Sequence, residues 1–175
     1  LKISAVGTTC RESVEETGKR LGSFAQPMHL PFCFKIVMVE DMLDLKEDMF
    51  ELDSEETVVV YSEFALRSMV SKPDRLESAM KVIKNIRPCV TVVTEVEANH
   101  NSPVFVTRFI DALFYFAAFF DCLETCIQRD DPNRSILESM YFGTGIRNIV
   151  ANEGEERNIR NVKIDVWRAF FARYG

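Results

Sequence analysis

The sequence contains little that would support a metal site, a disulfide framework or a membrane anchor. It has two histidines, five cysteines and no Cys-x-x-Cys pair, so the common structural zinc sites lack ligands. An odd number of cysteines between apolar neighbours favours reduced thiols. The longest apolar run, Ala112 to Phe120, has nine residues, whereas roughly 20 are needed to cross a bilayer. We therefore expect no metal, no structural disulfide, no secretion and no membrane partner.

Sequence motifs for phosphates and for common catalytic nucleophiles are also absent. Gly143-Thr144-Gly145 begins like a dinucleotide fingerprint, but Asn148 replaces its third glycine and a helix, not a strand, is predicted before it. No P-loop, G-x-S-x-G or H-E-x-x-H motif occurs. We predict a helix-breaking turn at the two glycines, no bound cofactor and no catalytic residues. Cys122 and Cys126, one helical turn apart, are interpreted as small core residues or plain thiols.

The composition is that of a folded domain. The chain of 175 residues is 47% hydrophobic and 27% charged, which favours a single domain over residues 1–175 with its own core. The sequence opens inside an apparent strand and closes inside a helical pattern. We therefore expect it to be a piece of a longer protein.

Short β-branched runs alternate with helical patterns, which predicts βαβ units, a mostly parallel sheet and the α/β class. The predicted strands are residues 3–6, 34–39, 57–61 and 90–94, and the fourth lacks polar alternation, as buried strands do. The predicted helices of this half are residues 13–28, 64–70 and 76–86, with a loop or broken helix over the acidic residues 41–50.

A long aromatic helix is predicted after residue 102, with Ser102 as its cap and Pro103 in its first turn. Apolar residues recur along it at steps of three and four, and further phenylalanines widen this stripe, so we expect the helix to be buried on most sides. The stripe consists of Phe105, Phe109, Leu113, Phe116, Phe120, Leu123 and Ile127. Further helical segments are predicted from Asp131-Pro132 to Met140 and over residues 146–151.

The loop after the fourth strand is the first place to seek function, because ligands of open α/β sheets bind beyond the carboxyl ends of strands. Its candidate residues are Glu95, Glu97, Asn99, His100 and Asn101. These side chains suit acid/base chemistry, the hydroxyls of a bound ligand or a partner site. In the alternative interpretation they cap the following helix and pair with Arg108 or with a neighbouring basic helix.

A second candidate is a basic face with helical spacing, formed by Arg67, Lys72, Arg75, Lys81, Lys84 and Arg87. It would attract phosphates or an acidic partner, or it is a solvated face. The net charge of −6 argues against DNA binding by this chain alone. Nearby apolar residues form either a docking surface for a partner helix or part of the core: Leu66, Met69, Val70, Leu76, Met80 and Ile83. Trp167 is interpreted as a structural anchor of the C-terminal packing.

Several strings resemble the plant GRAS family of SCARECROW-like and DELLA regulators. TEVEANHNSPVF (residues 94–105), Arg108-Phe109 and FFDCLE (119–124) look like its central PFYRE region. IRNIVANEG (146–154), Glu156-Arg157 and Val166-Trp167-Arg168 resemble the end of that region and the start of the SAW motif. Residues 1–7 and 16–21 look like the stretch after the VHIID motif, and residues 60–95 resemble the second leucine-rich region.

Two positions depart from the family pattern. Thr144-Gly145 stands where the family usually has an Arg-Glu pair, and Asn161-Val162 stands where a Glu follows the Arg-x-x-Arg step. We therefore expect any salt bridges that the family makes through those side chains to be missing here.

The resemblance implies a Rossmann-like core similar to S-adenosylmethionine-dependent methyltransferases, without catalysis. It implies a nuclear co-regulator of transcription that docks on DNA-binding transcription factors or other GRAS proteins, with possible homodimers and possible contact with promoter DNA. The alternative is a small-molecule-binding or methyltransferase-like protein on the same fold.

Overall fold

The structure is a computed structural model that describes residues 1–174. The chain divides into two compact units. The first holds Leu1–Val60 and Asp74–Thr91, and the second holds Tyr61–Pro73 and the residues from Val92 onward. A single domain over residues 1–175 stays a prediction.

The first unit begins with a βαβ arrangement. Strand β1 (Lys2–Gly7) pairs in parallel with β2 (Cys33–Met38), with Lys2 opposite Cys33 and Gly7 opposite Met38. Helix α1 (Arg11–Ala25) connects them. An added Cβ at Gly18 would lie 2.4 Å from the Phe34 ring, so the missing side chain lets α1 approach β2 closely. The predicted parallel pairing is confirmed.

A small apolar core fills the first unit. Helix α2 (Pro73–Ile86) contributes Val82. The acidic segment forms two 3₁₀ turns, Met42–Asp44 and Glu47–Phe50, as the predicted broken helix suggests. The buried members are Val37, Val39, Leu45 and Val82, and Met42, Met49, Phe50 and Ile86 pack against them. Asp44, Glu47 and Asp48 of this segment are exposed, whereas most of its apolar side chains face the core and Leu43 is exposed.

A second two-stranded sheet pairs β3 (Val59–Glu63) with β4 (Val90–Thr94). The Cys89 amide donates to the Val58 carbonyl over 2.9 Å, and the Phe64 amide donates to the Thr94 carbonyl over 2.8 Å. These bonds near both ends show that the strands run in the same direction. The expected burial of β4 is wrong, because Val90 and Val92 are exposed on a strand with one neighbour among the described residues.

The predicted helix over residues 64–70 is wrong. Only a 3₁₀ turn, Leu66–Ser68, forms there. Phe64 has a left-handed backbone (φ 52°) and the Ser68 hydroxyl donates to the Ala65 carbonyl over 2.6 Å. A segment this short cannot offset the cost of helix nucleation, so local hydrogen bonds decide its shape.

The second unit is mostly helical. Its elements are α3 (Phe105–Cys126), α4 (Pro132–Ile136), a π-helical stretch (Leu137–Gly143), α5 (Thr144–Val150) and α6 (Ile164–Phe171). Its core joins α3 to α5 through Ala112, Phe116 and Ile149. The predicted break at Gly143 and Gly145 is wrong, since both lie in continuous helix. An added Cβ at Gly145 would lie 2.9 Å from the Phe116 ring, so this glycine permits close packing of the two helices.

Two expectations for α3 are also wrong. The helix begins at Phe105, and Ser102 accepts from the Val104 amide over 3.2 Å instead of capping the helix. The helix is buried along one arc and exposed along another. No helix among residues 1–174 is both long and apolar enough to cross a membrane.

The cysteines are exposed, whereas the single tryptophan is buried. All five cysteines are free and exposed, so Cys122 and Cys126 are plain thiols and the alternative interpretation as core residues is wrong. Trp167 is buried in α6 and stacks on Phe171 with ring centroids 5.8 Å apart. Its indole nitrogen has no hydrogen-bond partner among the described residues.

Candidate functional site

Glu95 serves as a cap for a short turn. Its Oε1 accepts from the backbone amides of Leu66 over 2.7 Å and Arg67 over 3.2 Å. Burial raises the pKa of Glu95, opposed by those two amides and by the Arg67 charge. The carboxylate thus supplies the acceptor that the first amides of a helical turn require.

Arg108 is the most heavily bonded residue of the second unit. Its side chain is 1% exposed and forms an ion pair with Glu153. It also donates to the carbonyls of Ser102 over 3.0 Å, Pro103 over 3.2 Å and Ile149 over 3.4 Å. The guanidinium therefore fastens the loop after β4 to the end of α5.

Asn101 is engaged in a similar way. Its Oδ1 accepts from Arg160 Nη1 over 3.0 Å. Arg160 also donates to the Gly154 carbonyl over 2.7 Å and the Arg157 carbonyl over 3.1 Å. Asn101 and Arg108 thus both tie the loop to the segment that follows α5.

His100 is fully buried. Its Nδ1 lies 3.1 Å from the Asn161 amide nitrogen, and its ring meets Tyr115 edge-on with centroids 5.1 Å apart. Its Nε2 has no partner among the described residues. Burial lowers the pKa of His100, and the charge of Asp111 opposes that effect.

His100 lines a cleft of about 340 Å³ together with two other predicted residues, Glu97 and Asn99. The remaining walls are Ala98, Asp111, Tyr115 and Lys163. Glu97 also accepts from the Ile164 amide over 3.4 Å at the start of α6. The predicted cluster is therefore divided: three members line the cleft, whereas Glu95, Asn101 and Arg108 hold backbone or side-chain groups elsewhere.

Sequence reasoning missed Asp111, Tyr115, Lys163 and Asn161. Asp111 and Tyr115 are four residues apart on α3, so the spacing was a usable signal. Asn161 was noted only as a departure from the family pattern, and nothing in the sequence indicated its contact with His100. Among residues 1–174, no three His, Cys, Asp or Glu side chains are grouped to hold a metal ion.

The six basic candidates lie on different elements. Arg75, Lys81 and Lys84 are on α2, whereas Lys72 precedes that helix and Arg87 follows it. Arg75 forms an ion pair with Asp41, with its Nε 2.7 Å from Asp41 Oδ1. Arg67 lies in the turn after β3, 5.1 Å above the Phe64 ring. Phosphate or DNA binding by these residues stays a prediction.

The apolar candidates after β3 and on α2 are mostly core. Leu66, Met69, Leu76 and Met80 are buried, and Val70 and Ile83 are half-buried. A row of exposed apolar residues lies instead on α3. We call it the α3 stripe, and it consists of Val106, Phe109, Ile110, Leu113 and Phe114.

Comparisons with known proteins agree on one family. The profile of the GRAS domain family matches residues 1–175. DELLA protein RGL3 of Arabidopsis thaliana is 37% identical over 169 residues, which are 95% of this chain and 32% of that protein. DELLA protein 2 of Medicago truncatula is 37% identical over 179 residues, 99% of this chain and 33% of that protein. The chain thus spans about a third of these relatives.

A solved structure shares the fold. The crystal structure of SCL7 from Oryza sativa matches with a TM-score of 0.89 and 26% identity, over 99% of this chain and 50% of that chain. Short parallel sheets flanked by helices occur in both, which confirms the predicted Rossmann-like α/β fold.

Proposed function

Because this chain belongs to the GRAS domain family, we propose that the protein is a plant transcription regulator that docks on DNA-binding proteins in the nucleus. The observation that carries the docking step is the α3 stripe. Its member residues are between 42% and 72% exposed. Contiguous exposed apolar surface of this kind marks interaction sites on soluble proteins.

The spacing of the α3 stripe fits a helical partner. Relative to Val106, its members stand at i+3, i+4, i+7 and i+8, and the exposed Ala117 extends the row to i+11. A row of this length covers about 17 Å of helix, or three turns. An amphipathic helix presents the matching apolar row, as in helix-in-groove recognition.

The charge of the chain indicates which proteins carry that helix. The net charge is −6, and the exposed Asp121 follows the stripe on α3. DNA-binding domains are basic, so an acidic co-regulator is attracted to them and repelled by DNA itself. We therefore favour a DNA-binding transcription factor as the occupant over another GRAS protein or a second copy of the chain.

Two reporter measurements with the full-length protein test this function. In the first, a heterologous DNA-binding domain tethers the protein to a reporter promoter, so docking is unnecessary. In the second, expression of the untethered protein is induced in plant cells, and the cellular transcripts are counted before and after induction. We expect the wild type to change expression in both, and Leu113→Asp/Phe114→Asp to act only when tethered.

Phe24→Asp is the matched control. Phe24 is 66% exposed on α1, close to the 72% of Phe114, so the control introduces one aspartate at a similarly exposed ring on a different helix. It should behave as the wild type in both measurements. A wild type without effect in either refutes the regulatory function. A double variant that still acts untethered refutes docking through the stripe.

Direct promoter binding is a second candidate, favoured by Lys81 and Lys84. They are exposed, three residues apart on α2, and form no ion pair among the described residues. Lys81→Glu/Lys84→Glu should abolish salt-sensitive binding of a promoter duplex by the full-length protein, measured by fluorescence anisotropy at two salt concentrations. Unchanged binding removes this candidate.

A further inference from the structure

Two buried polar atoms of the residues that line the cleft beside His100 have no hydrogen-bond partner in the part of the chain that the structure describes. One is His100 Nε2, and the other is Asp111 Oδ2. Both residues line the same cleft. An unpaired buried polar atom costs about 1–3 kcal/mol, so two in one cavity indicate a group that is bound there.

The two atoms offer complementary hydrogen bonds. With the Asn161 amide nitrogen 3.1 Å from Nδ1, the neutral ring keeps its proton on Nε2, which makes Nε2 a donor. Asp111 Oδ2 is an acceptor. A hydroxyl group satisfies both, because it accepts from the imidazole and donates to the carboxylate.

The size of the cleft points to a molecule larger than water. Its volume is about 340 Å³, whereas one water fills about 30 Å³ of liquid, and small-molecule sites begin near 300 Å³. Tyr115 supplies an aromatic wall, and Asn99 adds an amide. Carboxylates, an amide and an aromatic ring together suit a ligand with several hydroxyls on a carbon ring.

The charges of the lining disfavour an anionic ligand. Glu97 and Asp111 would repel an anion, and Lys163 balances one of the two negative charges. We propose that this cleft binds a small uncharged polyhydroxylated molecule of monosaccharide size, with one hydroxyl between His100 Nε2 and Asp111 Oδ2. The proposal is independent of the α3 stripe.

Ligand-observed NMR of the full-length protein tests this site with D-glucose, myo-inositol and the anion D-glucuronate. We expect saturation transfer to at least one of the two neutral polyols and weaker transfer to D-glucuronate. Asp111→Asn keeps the shape but replaces the acceptor. It should weaken binding about tenfold or more, as expected for a hydrogen bond to a charged group.

Asp121→Asn is the matched control, because Asp121 lies exposed on the same helix outside the cleft. The affinity of this variant for the polyol should equal that of the wild type. His100→Asn removes Nε2 and should also weaken binding. Thermal unfolding checks that each variant is folded. Absence of transfer to both neutral polyols, which leaves water as the occupant, overturns the proposal. Equal affinity of folded Asp111→Asn and wild type also overturns it.

Discussion

Arg108 offers the sharpest test of how the loop after β4 is held. Arg108→Met keeps the aliphatic stem and removes the guanidinium that donates to three carbonyls. Each such bond contributes roughly 1–3 kcal/mol, and the relieved desolvation of the buried charge offsets part of the loss. We expect the free energy of unfolding to fall by about 3 kcal/mol.

The partner Glu153 is expected to matter less. Glu153→Gln leaves the Arg108 guanidinium, which is 1% exposed, without its ion-pair partner but with its three carbonyl acceptors. Solvent around the 64% exposed Glu153 weakens the pair, so Glu153→Gln should cost about 1–2 kcal/mol, less than Arg108→Met. The carbonyl bonds, and not the ion pair, then account for most of the stabilisation.

Urea denaturation followed by tryptophan fluorescence measures both variants. Trp167 is the single tryptophan and is buried in the second unit, which also contains Arg108. Equal losses in the two variants would show that the ion pair dominates. A loss below about 1 kcal/mol for Arg108→Met would contradict the role assigned to the carbonyl bonds.

Two other predictions concern packing and pH. Gly18→Ala should destabilise the protein by about 1–3 kcal/mol, because its Cβ would lie 2.4 Å from the Phe34 ring. Gly22→Ala, whose Cβ would have its nearest contact at 3.8 Å, should stabilise α1 by up to about 1 kcal/mol. The midpoints of urea denaturation of the two variants are compared, and equal effects would contradict the close approach of α1 to β2. Burial lowers the pKa of His100, so the folded state binds fewer protons than the unfolded state just below the ordinary histidine value of about 6.5. Stability should therefore fall as pH falls through that interval, and His100→Gln should flatten the decline in unfolding free energy; an unchanged slope would exclude His100 as its source.

The strands and the parallel pairing were predictable because each strand is short, β-branched and bounded by turn residues. The strand over Val90–Thr94 agrees with its predicted bounds. Helix α3 was predictable as a helix, but not in its burial. Its apolar residues surround the axis, so periodicity does not distinguish the buried arc of Ala112 and Phe116 from the exposed arc of Leu113 and Phe114.

The candidate site was predictable as a loop and not as a set of contacts. The acceptor role of Glu95 depends on amides 28 and 29 residues away, and His100 meets Asn161 across 61 residues. The fold brings these distant residues together, and the local sequence pattern does not predict such contacts. The departure at Asn161 was visible in the sequence, whereas its contact with His100 was not.

The most direct test of the central claim is photocrosslinking from the α3 stripe. Benzoylphenylalanine replaces Phe114 in the full-length protein, or Phe24 as the control, in plant nuclei, and mass spectrometry identifies the crosslinked peptides. The account predicts crosslinks from position 114, and not from position 24, to amphipathic helices of DNA-binding transcription factors. Crosslinks from position 114 only to other segments of the same molecule would show that the stripe is covered internally and would contradict docking through it.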